Sequence, residues 1–173
     1  RLRDAAHQLP SSLIETLPSL RALDLLSLGY QNLLADYYWV RSLDEFGDSA
    51  LHEHHYPNLA PYLERVVHLD PLFAGAYIFV GNALGFQGMD INLAIKLLKK
   101  GVHHRPDKWK IPFLLGFHLY DRRQDYIAAI KALKKAASLP GSPTHLPHLI
   151  TRMSAHAGQP EVGLEFIERL IES

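Results

Sequence analysis

Apolar positions recur at helical spacing through the middle of this chain, and the pattern is stated twice. After Asp70-Pro71, residues Tyr77, Val80, Gly81 and Leu84 follow a 3.6-residue period. A break at Gly88 is followed by Ala94, Leu98 and Gly101, and the pattern stops before Pro106. Leu115, Gly116 and Leu119 then repeat the first helix, and Ala129, Leu133 and Ala136 repeat the second, which ends at Pro140-Gly141. Gly81 and Gly116 stand 35 positions apart, as do Ala94 and Ala129, while Pro106 and Pro140 stand 34 apart. The pattern predicts helix pairs. Gly81 and Gly116 should let the first helix of each pair approach its partner closely, and Ala94 and Ala129 should do so from the second. Leu and Tyr fill the space around them at crystal-like density. Each terminal proline lacks an amide donor and disfavours helix at the residue before it, so it stops the second helix.

Outside this middle the pattern is looser. Residues 1–17 read as a short amphipathic lead-in, with turns at Pro10-Ser11-Ser12 and Pro18-Ser19. Helical period runs from Leu20 to Phe46 with a weak point at Gly29, and Gly47 ends it. Within it Leu33, Asp36, Tyr37, Trp39, Val40, Leu43 and Phe46 keep helix spacing, which makes this the first helix of a divergent pair. A long connection leads to a second helix from about Pro57 to Leu69, with Ala60 in the small position and Glu64 where Leu98 and Leu133 lie. A fourth pair follows from Thr144 to about Ile171, turning at Gly158, with Gly163 small and Thr151 in place of the close-packing glycine.

A helix–turn–helix unit repeating every ~34 residues, with small residues at these offsets, resembles the tetratricopeptide repeat. The resemblance implies an all-α fold: a right-handed α-solenoid of about four helix pairs (33–73, 74–108, 109–143, 144–173) after an N-terminal lead-in, 1–32. Divergent end units are expected, because they cap the stack against water. The stretch from Ser27 to Gly47, SLGYQNLLADYYWVRSLDEFG, also resembles the opening of bacterial tetratricopeptide proteins that carry a signal or membrane anchor upstream. That implies the periplasmic or extracytoplasmic face of a bacterial membrane, with the cytoplasm as the alternative. Because the chain begins at Arg1 and not Met, we expect residues upstream.

Composition narrows the function further. With 18 basic and 18 acidic side chains in 173 residues, bulk charge gives no basic face for nucleic acid. Lys96, Lys99, Lys100, Lys131, Lys134 and Lys135 sit on second helices and read as a solvated outer face. The absence of cysteine excludes disulfides, thiolate metal sites and cysteine nucleophiles. No apolar run reaches the ~18 residues of a membrane span.

In a stack of this kind the first helices line one face, and helix offsets select its residues. These are Tyr37 and Arg41, then Ile78 and Asn82, then Phe113, Phe117 and Tyr120, then His145, His148 and Arg152. An aromatic groove with scattered polar groups suits an extended peptide or a partner helix. Of the Lys and Asn places of a carboxylate clamp, which here hold Ile78, Asn82 and Phe113, only Asn82 fits, which disfavours a chaperone adaptor. His52, His54 and His55, with Glu53, are weak metal-ligand candidates in the long turn, where a solvated loop is the simpler reading. His145 and His148 share a helix face and would change charge near pH 6–7. Asp36, among apolar neighbours, would serve as a structural cap or cross-link if buried. No phosphate loop, nucleophile elbow or zinc-hydrolase motif is present. The expectation is a non-enzymatic interaction module or assembly subunit, without cofactor or metal, that binds a protein partner in its groove. The alternative is a structural subunit docked by its edges or convex face on a membrane-protein complex.

Overall fold

The computed structural model describes residues 16–48, 56–86, 90–158 and 160–171, and every regular element among them is helical. The chain forms two compact units, Arg1–Pro71 and Leu72–Ser173. The expected break at Gly88, most of the 1–17 lead-in, and His52, Glu53, His54 and His55 lie outside the described residues.

The first unit contains α1 (Leu20–Leu26), α2 (Gln31–Gly47) and α3 (Leu59–Leu69). Ser19 starts α1 by accepting the Ala22 N–H at 3.2 Å, a cap worth about 1 kcal/mol. The weak point expected at Gly29 is a turn in which both Leu28 (φ 46) and Gly29 (φ 90) adopt the left-handed conformation. Beyond it α2 lays Ala35, Tyr38, Ser42 and Glu45 inward. On α3, Leu59, Tyr62, Leu63 and Val66 are fully buried. Glu45 Oε1 accepts the Asn58 N–H at 2.7 Å and so ties the end of α2 to the start of α3. Burial pushes the Glu45 carboxyl above its usual range, against the opposing pull of that hydrogen bond. Arg65 donates to the carbonyls of Pro61 and Pro18, which anchors the approach to α1 on α3.

The second unit holds three helix pairs. The first pairs α4 (Ala74–Val80), continued by a π-helical turn Gly81–Phe86, with α5 (Ile91–His104). The second pairs α6 (Lys110–Asp121) with α7 (Tyr126–Ala137), and the third α8 (Leu146–His156) with α9 (Pro160–Ile171). Asp90 and Asp125 cap α5 and α7 by accepting the N–H groups of Leu93 at 2.9 Å and Ala128 at 3.1 Å. Within the unit each pair packs on the next. Leu133 and Ala136 of α7 and Leu146 and Ile150 of α8 share one buried cluster.

Small residues set the spacing, though one does so differently from the expectation. A Cβ on Gly116 would lie 2.7 Å from Leu133 Cγ and 2.9 Å from the Ala129 carbonyl, so α6 meets its partner α7 nearly backbone to backbone. Gly163 likewise lets α9 approach Thr151 of α8. Gly81 was expected to face its partner α5. Instead its closest neighbour is Leu114 of α6, at 2.8 Å from a built Cβ.

His118 seals that junction. Its fully buried ring reaches across from α6, and Nε2 lies 2.8 Å from the Gly81 carbonyl. A carbonyl only accepts, so Nε2 carries the proton. Gly85 leaves room for the ring, which any Cβ there would strike. Burial holds the imidazole below its usual value of 6.5, outweighing the hydrogen bond to Gly81.

Two measurements follow. Gly116→Ala should cost ~1–3 kcal/mol in urea unfolding by overpacking α6 on α7, whereas Gly47→Ala, with nothing within 4 Å of the new methyl, should be neutral or gain up to ~1 kcal/mol. Because native His118 holds its proton less tightly than the unfolded residue, its contribution to stability is intact above about pH 7. It is lost as pH falls through 6.5 towards the depressed native value. The urea midpoint should therefore drop between pH 7 and pH 5, and His118→Gln should flatten that slope.

Candidate functional site

Two adjoining concavities lie along the first helices of the second unit. One, of about 440 Å³, is lined by Ala74, Ile78, Asp107, Lys108, Trp109, Lys110 and Pro140. Its neighbour, of about 240 Å³, is lined by Ile78, Asn82, Trp109, Lys110, Phe113 and Leu114. Ile78, Trp109 and Lys110 belong to both, so the two form one groove between α4 and α6 with Trp109 at its middle.

The sequence after α5 builds this arrangement. Pro106 ends the helical run, and Arg105 Nε and Nη2 grip the two carboxylate oxygens of Asp107 at 3.0 and 3.1 Å. The third nitrogen of the same guanidinium donates to the Leu72 carbonyl at 2.6 Å, so one side chain joins the loop to the start of the unit. A fork of this kind fixes direction as well as distance. Lys108 adds a second cation at 3.0 Å from Asp107. Together Arg105 and Lys108 hold the Asp107 carboxyl well below the usual carboxylate range, so it stays ionised and paired. Trp109, the N-cap residue of α6, is half-buried against Phe113 in an edge-on contact at 5.9 Å. Lys110 Nζ stands 5.8 Å from the indole centroid. The groove is thus an aromatic floor rimmed by two lysines and an ionised acid paired with Arg105 and Lys108.

Of the residues expected to line a groove, Ile78, Asn82 and Phe113 do line this one. Phe117 and Tyr120 are half-buried farther along α6 and line neither concavity. Phe117 stands edge-on to His118, and the Tyr120 hydroxyl is hydrogen-bonded to His156 Nδ1 at 2.7 Å. His145, His148 and Arg152 are exposed on or beside α8 and likewise line neither. Trp109 and Lys110 escaped the helix offsets because they are the N-cap and the first residue of α6. Their signal was an aromatic between two lysines, Lys108-Trp109-Lys110, just after a proline.

Tyr37 and Arg41 belong to the first unit. Arg41 is half-buried, with its guanidinium 5.6 Å over the Tyr62 ring and Nη2 donating to the Tyr62 hydroxyl at 3.3 Å. Tyr37 is exposed, and so is Asp36, which rules out the buried cross-link considered for it. Among the described residues, no group of three or more His, Cys, Asp or Glu side chains is placed to hold a metal ion. No described helix is long and apolar enough to cross a membrane.

Charge is divided between the units. Arg1–Pro71 carries 10 acidic residues against 5 arginines and no lysine, and Leu72–Ser173 carries 13 basic residues against 8 acidic. Overall neutrality conceals two units of opposite sign.

No family model matches the chain, and no curated protein sequence matches it. Its fold is similar to the crystal structure of MamA protein, with 20% identity and a TM-score of 0.57 over 88% of this chain and 79% of that one. A second MamA crystal structure matches at 19% identity and TM-score 0.55, over 88% and 85% of the two chains. A MamA RS-1 ArsTM double mutant matches at 20% identity and TM-score 0.53, over 88% and 82%. At this identity the likeness concerns the fold. The fold class is all-α, built of tetratricopeptide-type helix pairs as in MamA.

Proposed function

We propose that this protein is a non-enzymatic interaction module that holds a peptide or helical segment of a partner protein in the α4–α6 groove. The observation that carries this reading is Trp109. It is half-buried at the junction of two concavities, packed edge-on against Phe113, with Lys110 Nζ over its ring. Large aromatic side chains in partly closed pockets dominate binding energy at protein interfaces, because they bury much area at little entropic cost. Asn82 offers both a donor and an acceptor to a peptide backbone beside that surface. The tetratricopeptide-type fold supports the same reading, since paired helices present such grooves for extended or helical partners. Fold alone does not assign a partner, which is why the reading rests on the groove.

A peptide library displayed on phage and selected on the whole chain supplies ligands for the test. Affinity for the selected peptides should fall by ~2 kcal/mol or more in Trp109→Ala and by ~1–2 kcal/mol in Phe113→Ala, measured by calorimetry with helical content unchanged. Peptides that bind both variants as tightly as the parent would place the contact elsewhere and refute the reading.

A further inference from the structure

The first unit exposes an apolar helix face that its own packing leaves open. On α2 the inward residues Ala35, Tyr38, Ser42 and Glu45 define one side of the helix. At 100° per residue the opposite side carries Leu33, Asp36, Tyr37, Val40, Leu43 and Asp44. Leu33 is 67%, Tyr37 50% and Val40 62% exposed. The turn before α2 extends the surface, with Leu28 exposed and in the left-handed conformation that a leucine rarely adopts. Single exposed leucines need no explanation, but a contiguous apolar stripe marks a place where something binds.

The acids on this face say what. Asp36 and Asp44 are interleaved with the apolar positions, and Asp36 makes no hydrogen bond or ion pair among the described residues. The one base on the flank, Arg41, is turned to Tyr62, with Asp44 3.6 Å away. Among its described residues the first unit carries 7 acids against 3 arginines. We infer that the exposed face of α2 is a second interaction surface, separate from the groove, which docks a basic amphipathic helix of a partner protein. From Leu33 to Asp44 the stripe spans about 16 Å at 1.5 Å per residue, the length of three turns. A partner helix with apolar residues at i, i+3, i+4 and i+7 covers it, and lysines or arginines beside them meet Asp36 and Asp44. The same face of a second copy would set Asp against Asp. A membrane-surface helix carries lysine and arginine on its polar side, where this one carries aspartate.

The test titrates the whole chain with a fluorescein-labelled 18-residue amphipathic helix of leucine and lysine, and with its leucine–glutamate counterpart. The lysine peptide should bind saturably, and the glutamate peptide should not. Leu33→Ser with Val40→Ser should weaken binding by about tenfold or more. Asp36→Asn with Asp44→Asn, two changes at exposed positions, should weaken it by about threefold and flatten its salt dependence. Trp109→Ala should leave it unchanged. The inference is overturned if the lysine peptide does not bind, if binding survives both double variants, or if Trp109→Ala abolishes it. It is overturned equally if Leu33 and Val40 instead mediate dimers in sedimentation equilibrium or attachment to phosphatidylglycerol vesicles.

Discussion

Close approach of helix backbones is the constraint on which the second unit depends. Where α6 crosses α7, Gly116 stands against Leu133 and the Ala129 carbonyl with no room for a Cβ. Gly101 stands in the same way between Tyr77 and Ile111. Helices held this near can interlock large side chains around the contact, and Leu97, Leu98, Ile111 and Leu133 are fully buried as a result. Each such side chain contributes roughly 1.5–3 kcal/mol of burial, so the glycines matter less for what they touch than for what they allow others to touch. The same closeness brings the start of α6 beside α4. That is why Trp109 and Ile78 share one groove.

The repeating part of this architecture was legible because its causes are local and periodic. Ala94, Ala129, Gly116 and Gly163 sit where a small residue must sit, and prolines 106 and 140 stop helices for reasons visible in any proline. A count of residues assumes one helical pitch. A π-helical turn changes the pitch without changing the composition, and nothing in Gly-Asn-Ala-Leu-Gly-Phe announces it. The orientation of α2 was hidden for another reason. Its apolar residues lie all round the helix, so periodicity does not choose a face. Its small residues do choose: Ala35 and Ser42 are buried against α3 while Leu33 and Val40 are not. At the groove, helix offsets selected Ile78, Asn82 and Phe113 but passed over Trp109, which lies one residue before its helix. Arg105, in the loop before it, also reaches 33 residues back to the Leu72 carbonyl, a contact that no local pattern encodes.

Charge carries the last step. Eighteen acids against eighteen bases give no bulk charge for nucleic acid. The sum nevertheless runs across two units of opposite sign. Coulomb attraction between exposed groups fades beyond roughly 10 Å at moderate salt, so a partner feels the few charges it meets and not the total. Beside Trp109 those charges are Arg105, Lys108 and Lys110 against Asp107. On α2 they are Asp36 and Asp44. On the two readings proposed above, a segment suited to one surface by its apolar pattern would be repelled from the other by sign, because like charges brought together cost more than an exposed pair of opposite ones gains. Two apolar surfaces on one small protein would compete for the same ligands if shape alone distinguished them. Opposite charge would let each proposed surface take its own.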